Sequence, residues 1–225
     1  MTNNESILEY FRIPDIVSSL NLLSGFIAVI QSINNNFTLA SLFLILAIIF
    51  DCTDGWVARK LKQDNDSEFG KNMDSLSDAI SFGLAPSIFL YQLANQINPS
   101  LKIITLIISA YILWTGVLRL ARFNSMKSKV KGFIGVPIPT IAFALALLYI
   151  SGLFNIYLAY IITIIISTLM ISKIPYSKLN NTPIIIIIAI LLILTPFQII
   201  IYNINLPATL LLILTIIYII PKKIG

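Results

Sequence analysis

The sequence predicts an all-α, polytopic integral membrane protein, a helical bundle with about eight transmembrane helices. Apolar residues make up 57% of the 225 residues and charged residues only 11%, whereas roughly 25% of a typical soluble domain is charged. Several apolar runs approach or exceed the ~20 residues that a helix needs to cross a bilayer. Most remaining charges lie between these runs. We expect one membrane domain covering residues 1–225.

Eight hydrophobic spans are predicted, joined by short polar connections. They lie near residues 15–33, 38–60, 72–94, 102–124, 136–151, 154–172, 183–202 and 206–220. The β-branched run at 184–190 would favour a strand in water. A backbone in lipid must satisfy its own hydrogen bonds, so this run is predicted to be helical.

The basic residues predict the orientation of the bundle. Fourteen of the fifteen lysines and arginines fall before span 1, in alternate connections or at the C-terminus, and only Lys102 falls on the opposite side. Positively charged connections stay in the cytoplasm, so both termini and the regions 59–71, 119–131 and 173–178 are predicted to be cytoplasmic. Most of these lysines need no role beyond topology and contact with anionic membrane lipids.

The composition also excludes several classes of protein. The chain has no histidine, which excludes histidine-dependent triads and HExxH zinc sites. Cys52 is the only cysteine, so an intramolecular disulfide is impossible. We find no nucleic-acid-binding module, and the net charge of +5 is assigned to the membrane surface rather than to nucleic acid.

The acidic residues form a cluster that topology does not explain. Seven of the ten lie between Asp51 and Asp78. Asp51 and Asp54 are three residues apart at the end of span 2, while Asp74 and Asp78 are four apart at the start of span 3. Each spacing places two side chains on one face of a helix. Because a short loop joins these antiparallel spans, the four carboxylates are predicted to meet at the cytoplasmic end of the bundle.

Four adjacent carboxylates repel one another and are costly near lipid unless cations neutralise them. Oxygen ligands suit Mg²⁺ or Mn²⁺, so the cluster predicts two divalent cations that can clamp a diphosphate. A salt bridge would explain one buried aspartate equally well, but it does not explain four at these spacings. Asp64, Asp66 and Glu68 lie among lysines in a polar loop, where a solvated surface role is the better interpretation.

The motif core at residues 51–83 resembles the signature of the CDP-alcohol phosphatidyltransferase family. The pattern D-x2-D-G-x2-A-R…G-x3-D-x3-D is specific, and its fixed positions are all present: Asp51, Asp54, Gly55, Ala58, Arg59, Gly70, Asp74 and Asp78. Ten residues separate Arg59 from Gly70, more than is usual in the family, so we expect a longer loop. The resemblance implies transfer of a phosphatidyl-type group from a CDP-lipid to an alcohol, with release of CMP.

Further segments are similar to the phosphatidylserine synthase branch of this family. They are IPDIVSSLNLLSGF at 13–26, the stretch 67–87, RLARFN at 119–124, GFIGVPIP at 132–139 and LMISKIPYSKL at 169–179. Eight spans also suit this branch better than other members of the family. The similarity implies L-serine as the acceptor, CDP-diacylglycerol or CDP-archaeol as the donor, and a homodimer in the cell membrane.

The resemblance also implies roles for individual residues. Asp51, Asp54 and Asp74 are implied to bind metal, and Asp78 is implied both to touch metal and to act as the general base. The CDP group is expected to lie against five positions of the motif: Asp54, Gly55, Ala58, Arg59 and Gly70.

Three further polar residues are candidates for binding the acceptor or a phosphate. Arg119 and Arg122 lie at the cytoplasmic end of span 4, and arginine recognises carboxylate or phosphate through paired hydrogen bonds. One could hold the serine carboxylate and the other a donor phosphate, although both could simply mark topology. Asn21, in span 1, could lie near the nucleotide or form a hydrogen bond between helices.

Two alternative functions remain open at this stage. The acceptor could be glycerol 3-phosphate or inositol phosphate, for which Lys127, Lys129 and Lys131 would supply a basic pocket. A transporter or channel with ion-binding carboxylates belongs to a different class. It is disfavoured because the acidic residues are confined to one end of two helices.

Overall fold

Helices form nearly all of the described structure, which confirms the predicted all-α class. The fold comes from a computed structural model that describes residues 10–60, 68–125, 133–176, 182–197, 199–201 and 204–220. The α-helices are α1 (Ile13–Ile33), α2 (Phe37–Lys60), α3 (Glu68–Asp78), α4 (Ala85–Ile97), α5 (Lys102–Ser125), α6 (Pro139–Ile150), α7 (Ile156–Ile171), α8 (Thr182–Leu194) and α9 (Leu206–Ile219).

Short irregular elements connect these helices. A π-helix (Ala79–Leu84) joins α3 to α4, and 3₁₀ turns occupy Pro99–Leu101 and Thr195–Phe197. The described residues also form two antiparallel strand pairs: β1 (Phe133–Ile134) with β2 (Pro175–Tyr176), and β3 (Ile200–Ile201) with β4 (Ile204–Asn205). The first pair links the connection before α6 to the connection after α7.

The helices agree with most of the predicted spans. Within the described residues, three helical segments are long and apolar enough to cross a membrane: Ile13–Ile33, Phe37–Gly55 and Pro99–Ser125. Shorter apolar helices cover Pro139–Ile150, Ile156–Ile171, Ile186–Phe197 and Leu206–Ile219. The number of spans and the orientation of the termini stay predictions.

Two predicted spans differ from the structure in their details. The run at 184–190 is helical, as predicted, but α8 ends at Leu194 and Ile200 already pairs with Asn205. A proline at 196 lacks the N–H needed to continue the helix, so the predicted end at residue 202 is wrong. The span predicted at 72–94 is also interrupted, because the π-helix divides it immediately after Asp78.

Polar side chains and prolines fix the beginnings of several helices. The backbone N–H of Arg12 donates to Asp15 Oδ2 at 2.7 Å, which caps α1. The Asn155 side chain accepts hydrogen bonds from the backbone N–H groups of Tyr157 and Leu158 at the start of α7. Prolines stand in the first turns of α1, α4, α6 and α9, where the missing N–H costs no helical hydrogen bond.

Helix α6 lies at the centre of the bundle. Most of its side chains are buried, including Ile141, Leu145 and Leu148. It packs against α2, α4, α7 and α9. The surrounding helices expose large apolar side chains, such as Ile103 on α5, which is 74% exposed, and Tyr157 on α7. A buried apolar helix ringed by helices with apolar outer faces is the arrangement expected in lipid.

Helix α1 and the π-helix pass each other at very short range. A Cβ atom added to Gly25 would lie 2.6 Å from the Cα atom of Ser81. The Ser81 hydroxyl donates to the Asn21 carbonyl oxygen at 2.9 Å. Glycine at position 25 therefore lets α1 approach the segment that directly follows Asp78.

We predict that Gly25→Ala destabilises the protein by about 1–3 kcal/mol, because the added methyl group overlaps backbone atoms. Gly83→Ala is the control, since its Cβ would meet only the end of the Leu113 side chain, at 3.2 Å. The measurement is thermal unfolding of both variants in detergent. Equal unfolding temperatures for the two variants would contradict the close packing described here.

Candidate active site

Four aspartates meet where α2 ends and α3 leads into the π-helix. Carboxylate oxygens of Asp51, Asp54 and Asp74 lie within 4.8 Å of one another. Asp78 completes the group, because it interacts electrostatically with Asp51 and Asp74. We call this part of the molecule the aspartate end of the bundle. The predicted convergence of the four side chains is present in the structure.

The four carboxylates are largely shielded from solvent. Asp54 is 9% exposed and Asp78 is 7% exposed, while Asp51 and Asp74 are partly buried. Packing so much negative charge into a small volume is unfavourable unless donors or cations offset it. The groups around each aspartate therefore indicate which ligands the site can bind.

Helix α1 supplies hydrogen-bond donors to two of the aspartates. The Ser18 hydroxyl donates to Asp54 Oδ2 at 2.7 Å, and the Asn21 side-chain amide donates to Asp78 Oδ1 at 3.1 Å. Both residues are buried. Each bond holds one carboxylate oxygen in place.

Ser18 was not among the residues predicted from the sequence. The signal was a polar stripe along an otherwise apolar helix, since the buried residues Asp15, Ser18, Asn21 and Ser24 recur at intervals of three. That spacing keeps side chains near one helix face. Of these four residues, only Asn21 is predicted from the sequence to belong to the site, and its contact with the acceptor or a phosphate stays a prediction.

The remaining residues of the predicted CDP-binding set flank the aspartates. Gly55 follows Asp54 directly on α2, and Gly70 lies in the first turn of α3, one turn before Asp74. Both glycines are only partly buried, so a ligand can approach the backbone closely there. The backbone of Ala58 and Arg59 belongs to α2, but their side chains lie outside the described structure.

Arg119 is the buried cation of this site. It lies on α5 and is 8% exposed, and it interacts electrostatically with Asp51, Asp74 and Asp78. One guanidinium group offsets only part of the charge of four carboxylates. Its position supports the predicted role in binding an anionic part of a substrate, and the role itself stays a prediction.

Arg122, one turn further along α5, has a different environment. Its Nη1 donates to the carbonyl oxygens of Ile171 and Ser172, and its Nη2 donates to those of Ile134 and Met170, at 2.6–3.2 Å. We call this arrangement the carbonyl clamp. It joins the end of α5 to β1 and to the C-terminal end of α7, where unpaired helix carbonyls need donors.

Gly135 allows the carbonyl clamp to close. It has φ +79°, a conformation that favours glycine, and a Cβ atom there would lie 2.7 Å from Arg122 Nη2. Both terminal nitrogens of Arg122 already donate to backbone carbonyls. The predicted role of Arg122 at the acceptor stays a prediction. Of the two arginines, Arg119 is the better placed for a substrate.

The residues present fit a divalent cation site. The donors that converge are carboxylate oxygens, with no sulfur or imidazole ligand among them, and such donors suit Mg²⁺ and Mn²⁺. The Asn21 Oδ1 atom is also buried beside Asp78 without a hydrogen-bond partner among the described residues. Bound cations would offset the repulsion that the hydrogen bonds from α1 and the charge of Arg119 leave uncompensated.

The family of this chain follows from comparison with known proteins. Residues 11–171 match the family model of the CDP-alcohol phosphatidyltransferases, and the chain belongs to this family. It is therefore an enzyme of the class that transfers substituted phosphate groups, with helices able to cross a membrane.

Its similar relatives are serine-specific by name. Archaetidylserine synthase of Methanothermobacter thermautotrophicus is 39% identical over 181 residues, covering 80% of this chain and 76% of that protein. CDP-diacylglycerol–serine O-phosphatidyltransferase of Methanocaldococcus jannaschii is 43% identical over 186 residues, covering 82% and 83%. The enzyme of the same name from Bacillus subtilis is 35% identical over 164 residues, covering 73% and 89%.

We predict that Ser18→Ala weakens metal binding by about 10- to 100-fold, because a donor that orients a ligand carboxylate is lost. The measurement is Mn²⁺ affinity by isothermal titration calorimetry. Ser24→Ala is the matched control, since the Ser24 hydroxyl donates to the Leu20 carbonyl of its own helix. Unchanged Mn²⁺ affinity in Ser18→Ala would show that Asp54 is held without this bond.

We also predict that Arg122→Ala lowers the free energy of unfolding by about 2–4 kcal/mol, because several carbonyl oxygens lose a charged donor. Lys173→Ala, which removes an exposed cation of the neighbouring segment, serves as the control. Thermal unfolding without substrates is the measurement. A wild-type unfolding temperature in Arg122→Ala would mean that the carbonyl clamp contributes nothing to the fold.

Proposed function

We propose that the protein transfers a phosphatidyl or archaetidyl group from a CDP-lipid to the hydroxyl group of L-serine and releases CMP. The convergence of Asp51, Asp54, Asp74 and Asp78 at one end of the bundle carries this proposal. Membership of the family supports the chemistry, and the names of the relatives support serine as the acceptor. The product would enter phospholipid biosynthesis.

We propose that the four aspartates hold two divalent cations, Mg²⁺ or Mn²⁺. Carboxylates of α2 and α3 would supply the ligands, and Ser18 and Asn21 fix one oxygen of Asp54 and one of Asp78. When bound, the cations would neutralise the diphosphate of the donor and the charge of the leaving CMP.

The donor nucleotide would lie along the motif on α2 and α3. Glycines at 55 and 70 leave room for the CDP group, with Asp54, Ala58 and Arg59 completing the predicted contacts. The lipid chains would extend along the apolar outer faces of the bundle. The small residues at this end thus admit a charged nucleotide, while the exposed leucines and isoleucines contact lipid.

Asp78 is the proposed general base. The serine hydroxyl gives its proton to Asp78, its oxygen forms a bond to the lipid-side phosphorus, and the bond from that phosphorus to the CMP oxygen breaks. Asn21 donates a hydrogen bond to Oδ1 of Asp78, which would hold this carboxylate in place as it takes the proton. Transfer of this kind depends mostly on positioning and electrostatics, so the chain needs no histidine.

Arg119 is the proposed anchor for the serine carboxylate. It is the buried cation next to Asp78, and the carboxylate of serine lies only a few bonds from the hydroxyl that reacts. Lys127, Lys129 and Lys131, which would serve a phosphorylated acceptor, lie outside the described residues. The aspartate end would face the cytoplasm, and the enzyme would act as a homodimer.

CMP release from the purified protein tests this proposal. The reaction contains CDP-diacylglycerol or CDP-archaeol, Mg²⁺ or Mn²⁺, and in parallel L-serine, glycerol 3-phosphate or inositol phosphate. We expect CMP with serine alone and none after addition of EDTA. Asp78→Asn should lower the rate by at least about 100-fold, because the base is lost.

The matched control is Glu68→Gln, which makes the same change of acid to amide at an exposed position of α3 and should keep the wild-type rate. Release of CMP only with another acceptor would mean that this acceptor, and not serine, is the substrate. No release with either donor would contradict the proposed activity.

A further inference from the structure

Two tyrosines from the C-terminal part of the chain contact each other between β2 and the last turn of α9. The rings of Tyr176 on β2 and Tyr218 on α9 lie with their centroids 6.0 Å apart. The Tyr176 hydroxyl donates to the carbonyl oxygen of Ile219 at 3.0 Å. Tyr176 is buried, so it fixes the end of α9 against β2.

The carbonyl clamp fixes β2 in turn. Tyr176 pairs with Phe133 and Pro175 pairs with Ile134 in the two-stranded ladder. The Ile134 carbonyl oxygen accepts a hydrogen bond from Arg122 at 2.6 Å. A continuous series of contacts therefore runs from α5, through β1 and β2, to the last turn of α9.

This series joins the last turn of α9, which carries Tyr218, to the end of α5, which carries Arg119 and Arg122. Tyr218 interacts electrostatically with Arg119, and Arg119 interacts with Asp78. Tyr218 is only partly buried, unlike Tyr176.

We infer that Tyr218 determines acceptor specificity, binding the carboxylate of an amino-acid acceptor together with Arg119. The inference rests on the proposed function, because Asp78 must receive the proton of the same acceptor. A guanidinium group and a phenolic O–H can each donate a hydrogen bond to a carboxylate oxygen. Sites that hydrogen-bond a substrate group discriminate strongly against analogues that lack it.

The position of Tyr218 in the chain supports a role in specificity. The family model ends at residue 171, before β2 and α9 begin. The aspartates that perform the shared chemistry lie inside the matched region, and Tyr176 and Tyr218 lie beyond it. A residue that selects the acceptor is expected in the part of the chain that the family as a whole does not define.

The test compares Tyr218→Phe with the wild-type protein in CMP release, with L-serine and serinamide as acceptors. Serinamide keeps the hydroxyl and amino groups but lacks the carboxylate. We expect the KM for serine to rise about 10- to 100-fold, because one hydrogen bond to a charged group is lost. The KM for the CDP-lipid should not change, and the preference for serine over serinamide should fall.

Tyr157→Phe is the control, because Tyr157 is 60% exposed at the opposite end of α7. The ratio of serine to serinamide use does not depend on the folded fraction of a preparation, so it separates specificity from stability. If the wild-type protein releases CMP with serine and the Tyr218→Phe variant keeps the same KM and the same preference for serine over serinamide, this inference alone is overturned. If the wild-type protein releases no CMP with serine, the proposed function and the inference are both overturned.

Discussion

The structure depends on one electrostatic constraint, the repulsion among four carboxylates gathered at the aspartate end of the bundle. Burial of acidic groups in a helical bundle is tolerated only when donors or cations compensate their charge. Ser18 and Asn21 each satisfy one oxygen, and Arg119 contributes one positive charge. These three groups offset only part of the negative charge, and the excess of carboxylate oxygens makes the site suited to divalent cations and a diphosphate.

Several features of the fold follow from the need to hold these carboxylates in place. Gly25 lets α1 approach the π-helix closely enough for Ser81 to bond with the backbone of Asn21. The π-helix begins directly after Asp78, and such segments occur often at functional sites. Further along the chain, Arg122 donates to carbonyl groups of two segments, β1 and the C-terminal end of α7. Both arrangements use backbone groups to fix the elements that carry the site.

The sequence predicts the helices and the acidic cluster because both depend on short-range periodicity. Spacings of three and four residues place Asp51 with Asp54 and Asp74 with Asp78 on any helix. The Ser18–Asp54 bond depends instead on how α1 rotates against α2, and the carbonyl clamp depends on backbone groups that carry no residue-type signal. The π-helix and the strand pairs are likewise not predicted by short-range periodicity. The electrostatic interaction of Tyr218 with Arg119 joins residues about a hundred positions apart, which no local pattern encodes.

The most direct test of the account is the location of bound manganese. Crystals of the protein soaked in Mn²⁺ would be measured at a wavelength where manganese scatters anomalously. The account predicts two anomalous peaks inside the ring formed by Asp51, Asp54, Asp74 and Asp78, which disappear in the Asp74→Asn variant. Manganese bound elsewhere, or none bound among these carboxylates, would contradict the claim that their repulsion is resolved by divalent cations.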